Sequence, residues 1–164
     1  MRVVVALGGN ALMRRGEPLD AAVQRRNARR AAQVVAGLAR EHTVVVTHGN
    51  GPQVGLLALQ AAALGDPASW PLDVLGAESE GMIGHELGLA LRSAVAERPL
   101  ATLLPQVEGD LEDPAFAVPT KPIGPLQTRA DAERMAAAHG WRIPADGDGF
   151  RRVVPSPEPP RVLD

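Results

Sequence analysis

Twice in its amino-terminal third, the chain runs an unbroken β-branched stretch into a glycine turn and then into a helical pattern. Arg2–Leu7 (RVVVAL) breaks at Gly8-Gly9-Asn10, and Thr43–Thr47 (TVVVT) breaks at His48-Gly49-Asn50-Gly51-Pro52. Continuous apolar strands of this kind suit a sheet covered on both faces. Their alternation with helices predicts a parallel sheet flanked by helices. Asp20 is placed to cap a helix through about Arg40, with Val23, Ala31, Val34, Val35 and Leu38 on its apolar face. Arg25, Arg26, Arg29 and Arg30 fall opposite and read as a solvated face. Pro52 suits the first turn of a second helix, where its missing N–H is not needed. A third helix is expected from Pro71 to about Val95. Its glycines Gly81, Gly84 and Gly88 would permit close packing, a dimer contact being one candidate. Leu100–Val107 reads as another strand.

From Glu108 onward the composition changes, and eleven of the fifteen prolines lie between Pro99 and the end. A disordered tail has little use for Trp141, Ile143, Phe150, Val153 and Val154, so the segment is expected to be an ordered subdomain. It should hold one short helix over Thr128–His139, ended by Gly140, and turns at Asp113-Pro114 and Asp146-Gly147-Asp148-Gly149. The expected organisation is an α/β core over 1–107, a protruding subdomain over 108–157, and the start of a link over 158–164.

Charge and residue usage remove several functions. Nineteen acids against seventeen bases leave a net charge of −2, which argues against nucleic acid or an anionic membrane as the main partner. The absence of cysteine excludes disulfides, thiolate metal sites and cysteine catalysis. The opening apolar run is too short for a signal peptide, and no stretch approaches the ~20 apolar residues of a membrane span, so a cytoplasmic location is expected. Of the seventeen basic residues only Lys121 is a lysine. A lone lysine among arginines marks a place where a compact ammonium is wanted, unless it is a chance survivor.

Both glycine turns lie where a strand hands over to a helix, the place where free backbone N–H groups and glycine's small size favour a bound anion. Asn10 and Asn50 add side-chain donors. Neither turn has the spacing of a dinucleotide fingerprint, and no GK[ST] follows, so a Walker loop is excluded. Lys121, held between Pro119 and Pro122, is a point charge suited to balancing a transferred phosphoryl group. Arg151 and Arg152 follow a glycine turn and offer a guanidinium fork to the same anion, with surface solvation as the alternative. The four histidines show no zinc spacing, so no metal site is expected. Ser79 sits mid-helix without the setting of a hydrolase nucleophile.

Taken in order, ALGGNAL at Ala6–Leu12, THGNGPQVG at Thr47–Gly55, PLDVLGAESEGMIG at Pro71–Gly84, DPAFAVPTKPIGP at Asp113–Pro125 and RRVVPSPEP at Arg151–Pro159 resemble the amino-terminal half of carbamate kinase. The resemblance implies a three-layer α/β/α sandwich with a mainly parallel sheet, the amino-acid kinase fold, plus the protruding subdomain. It implies reversible phosphoryl transfer between MgATP and carbamate, giving ADP and carbamoyl phosphate, in arginine-deiminase-type catabolism. Carried over by motif, Gly8, Gly9 and Asn10 would hold the transferring phosphoryl group, with Lys121, Asn10 and Gly9 as the catalytic set. Gly49, Asn50 and Gly51 would hold the carbamate, and Arg152 or Arg151 would close over the site. The family's second half supplies most of the site for ATP or ADP with Mg2+, so the expected partners are these substrates, a second copy in a homodimer, and a separate chain carrying that half. The alternatives are a non-catalytic module that binds carbamoyl phosphate or a similar anion, and a structural remnant that only dimerises.

Overall fold

The computed structural model describes residues 1–14, 16–65 and 70–159 and the backbone of 161–163; the side chain of Asn10 lies outside the described part. In chain order the elements are β1 (Arg2–Leu7), α1 (Gly9–Leu12), α2 (Ala21–Ala39), β2 (Thr43–His48), α3 (Gly51–Leu64), α4 (Leu72–Ala94), β3 (Gln106–Glu108), β4 (Lys121–Gln127), α5 (Arg129–His139), β5 (Ala145–Asp146), β6 (Gly149–Val154) and β7 (Arg161–Leu163). They fall into two compact units: Met1–Pro52 with Gly76–Leu103, and Gln53–Leu75 with Leu104–Asp164. The second unit therefore takes in Gln53–Leu75 besides the proline-rich segment.

In the first unit β1 and β2 pair in parallel from Arg2↔Thr43 to Leu7↔His48, as the repeated strand pattern requires. The expectation that both faces are covered does not hold. Side chains alternate across a strand. Val5, Val44 and Val46 pack against Ala32, Val35 and Leu91 of α2 and α4. The other face carries Val4, 66% exposed, and Val45, 44% exposed. Within this unit α2 and α4 cover the face of Val5, Val44 and Val46.

Asp20 does cap α2, its carboxylate accepting from the Val23 N–H at 2.8 Å. Of the expected face Val23 and Val35 are buried and Ala31 packs against the core, while Val34 and Leu38 are exposed; Gln24, Asn27, Ala28, Ala32 and Ala36 complete the inward side. Small alanines let α2 approach its neighbours closely, and Asn27 is buried because it has local bonds to make. Its amide donates to Leu12 O at 3.3 Å and to Glu17 Oε2 at 2.7 Å. Glu17 also accepts from the Arg14 N–H at 3.1 Å. That backbone bond, then Asn27 and Arg26, hold the Glu17 carboxyl below the usual glutamate range. A carboxyl depressed by folding stabilises the fold above its unfolded-state pKa, and the gain is lost as pH falls through the folded value. Glu17→Gln is therefore expected to flatten the acid side of the stability–pH curve, which urea titrations across that range would read.

The expected strand over Leu100–Val107 shrinks to β3, which pairs antiparallel with β7. Residues 100–103 instead border a cavity of about 420 Å³ beside β2 and α4, with Leu103 82% exposed. No ladder forms there, and Pro105 has no N–H to give one. Gly84 of α4 is needed by this segment, because a methyl group there would collide with the Thr102 side chain, whereas Gly81 faces open space.

The second unit holds the remaining helices and strands. Asp113 caps a short 3₁₀ turn at Pro114–Phe116, Thr128 caps α5 and Gly140 ends it at φ 67°. The strands run β4–β6–β5, all antiparallel, with Gly147 at φ 63° in the two-residue link from β5 to β6. Val54, Ala58, Leu75, Ile123 and Val154 form its core.

Candidate functional site

The parallel register that ends at Leu7↔His48 fixes where the two glycine turns begin. They leave the sheet side by side, tied by a bond from the Gly49 N–H to Leu7 O at 3.2 Å. After β1 the chain turns at once, the Ala11 N–H donating to Gly8 O at 2.8 Å. Leu12 then anchors the turn, fully buried against Ala28, Ile83 and Leu87. At Gly8 neither φ nor packing calls for glycine, since a methyl group there would meet nothing within 4 Å. Gly9 and Asn10 open α1, the Asn10 side chain lying outside the described part.

After β2, Gly49 and Asn50 lead into α3, which begins at Gly51 with Pro52 in its first turn. The Asn50 amide donates to Ser79 Oγ at 2.9 Å, and that hydroxyl donates onward to Gly76 O at 2.7 Å. Ser79 is 0% exposed. Its role, missed on sequence grounds, is to orient Asn50 from 29 residues away; the available signal was a hydroxyl on the inward side of a glycine-bearing helix. Ser79→Ala is expected to cost about 1 kcal/mol by leaving the amide without its partner, read as a lower urea midpoint.

In the second unit Lys121 is exposed at the start of β4, paired with Val154, and Ile123 is paired with Arg152. Cross-strand partners share a face, so Lys121 and Arg152 stand on the same side of this sheet. The two arginines differ sharply. Arg151 Nε lies 2.7 Å from Asp146 Oδ2, an ion pair whose angle is not that of a good hydrogen bond. Arg152 has no acid beside it among the described residues; its guanidinium stacks 3.7 Å from the Trp141 ring centroid. Burial lowers its pKa to about 10, still charged at neutral pH.

Among the described residues no group of three or more His, Asp or Glu side chains gathers to hold a metal, and no helix is long and apolar enough to cross a membrane.

Residues 1–136 match the model of the amino acid kinase family. Carbamate kinase of Haemophilus influenzae is 56% identical over 165 residues, a match that covers 100% of this chain and 53% of the relative. Carbamate kinase of Pyrococcus furiosus is 45% identical, covering 96% of this chain and 53% of the relative. Among solved structures, carbamate kinase from Giardia lamblia bound to citric acid superposes with a TM-score of 0.86 at 38% identity, covering 99% of this chain and 55% of that one. The same enzyme bound to AMP-PNP gives 0.73 at 40% identity, covering 99% and 54%. The chain spans about half the length of the curated relatives it matches. With two glycine turns leaving adjacent parallel strands, and a family match over most of its length, the chain belongs to the amino acid kinase family.

Proposed function

We propose that this chain is the substrate-binding half of a carbamate kinase, which passes a phosphoryl group reversibly between carbamoyl phosphate and MgADP. The carrying observation is the pairing of β1 with β2, which starts both glycine turns at neighbouring strand ends. In this reading the backbone N–H groups of Gly8, Gly9 and Asn10 take the phosphoryl oxygens. Gly49, Asn50 and Gly51 take the carbamate, with Asn50 oriented by Ser79. The bond from phosphorus to the carbamate oxygen breaks as one forms to the terminal phosphate oxygen of ADP, and carbamate leaves as its anion. Lys121 balances charge on the moving group, with Arg152 or Arg151 as a further cation for it.

The open space around Gly8 supports the reading, because close approach by a ligand is then the reason for glycine. In this reading magnesium comes with the nucleotide, whose site the proposal assigns to the second half of the relatives. A homodimer and a role in arginine catabolism belong to the same proposal.

Calorimetric titration of the chain with carbamoyl phosphate is the test. Binding is expected, weakened about tenfold or more in Lys121→Ala and in Asn50→Ala. No heat from a folded sample, or equal affinity in both variants, would overturn it.

A further inference from the structure

The second unit holds a cavity around Arg152, and in this inference Arg151 is the arginine left to the phosphoryl site. A cavity of about 410 Å³ opens beside Arg152, walled by Trp70, His139 and Trp141 and floored by Leu72 and Leu75. The His139 and Trp141 rings lie 4.9 Å apart, and the Arg152 guanidinium lies over Trp141. Arg152 forms no ion pair among the described residues, and burial is what lowers its pKa. A partly desolvated cation in that position lacks its anion.

We propose that this cavity binds a small monocarboxylate with a flat apolar body. One guanidinium balances one negative charge, and its fork matches the two oxygens of a carboxylate. A phosphate dianion would bring a second charge, against which the cavity sets no second permanent cation, only the His139 imidazole. The indole rings and leucines offer the rest of the ligand an apolar slot, and flat groups stack well on such rings. Trp141 already holds the guanidinium in place at 3.7 Å before any ligand arrives, which lessens the ordering that opposes binding. The lowered pKa of Arg152 accords with its burial and leaves it charged at neutral pH. The inference does not rest on the chain being a kinase.

The chain has two tryptophans and both line this cavity, so intrinsic emission reports on it directly. Benzoate is the probe, titrated against the full 164-residue chain at neutral pH, with benzyl alcohol as the uncharged analogue and inorganic phosphate as the anion without an apolar body. Benzoate should change tryptophan emission in a saturable way, at least about tenfold more tightly than either comparator. Arg152→Gln should lose that preference for the charged ligand, while Lys121→Ala keeps it, which separates this site from the phosphoryl site. Equal binding of benzoate and benzyl alcohol to the unaltered chain would reduce the cavity to an apolar slot and overturn the proposal, whether or not the variants fold. Tighter binding of phosphate than of benzoate would overturn it equally, as would the absence of any saturable response.

Discussion

Replacing Gly55 by alanine is expected to destabilise the second unit by about 3 kcal/mol or more, because the added methyl group runs into backbone. A Cβ on Gly55 would overlap the Cα and N of Gly124 and lie 2.8 Å from the carbonyl carbon of Ile123. Every one of those atoms is backbone, so no rotamer change relieves the clash; α3 or β4 must move. Movement there breaks the core directly, because Val54 and Ile123 are neighbours of the two glycines and both belong to the buried cluster with Ala58, Leu75 and Val154. Gly124 is itself at φ 75°, a left-handed position that L side chains resist, so β4 cannot adapt by an easy backbone rotation. Gly81→Ala is the matched control. It sits in α4 with open space where a methyl group would go, and alanine should stabilise the helix there by about 0.8–1 kcal/mol. Urea denaturation of the two variants beside the parent chain should move the midpoints in opposite directions. A Gly55→Ala midpoint near that of the parent would mean that α3 and β4 do not touch in solution.

What was legible in the sequence was what local rules decide. β1, β2 and α2 stand within a residue or so of their expected bounds because strand run, Asp20 cap and helix period all agree there. The same holds for α5, whose Thr128 and Gly140 caps are side-chain and backbone signals readable in one dimension. Errors came where distant partners decide. Leu100–Val107 has strand composition but finds no ladder until Gln106, since a strand needs a neighbour as well as a propensity. The inward face of α2 was read correctly at Val23 and Val35 but not at Val34, because a hydrophobicity count ranks Val34 above Asn27, although Asn27 is the one of the two with bonds waiting in the interior. At the candidate site the glycine turns could be read, but not Ser79 behind Asn50 or Trp141 under Arg152. Each of those pairings joins residues on different elements.

The 164 residues by themselves are expected to form no ATP from MgADP and carbamoyl phosphate. Joined to the second half of the Haemophilus influenzae relative, they are expected to form it. The reason lies in the exposed side of the sheet. Val4 and Val45 lie on the face opposite the Val5, Val44 and Val46 cluster and are 66% and 44% exposed; a parallel pair is stable when both faces are covered. Relatives that match this chain over about half their own length have that much more chain with which to cover it. The joined protein should therefore slow amide exchange in β1 and β2 relative to the separate chain, before any substrate is added. Within the joined protein Lys121→Ala should lower kcat by about 10²–10³-fold, as expected for removing one charge-stabilising group from a phosphoryl transfer. Two failures would be informative in different ways. ATP formed by the separate chain and lost with Lys121 would mean that two copies complete a nucleotide site between them. A joined protein that folds, protects its sheet and turns over unchanged without Lys121 would leave the fold assignment standing and remove this lysine from the chemistry.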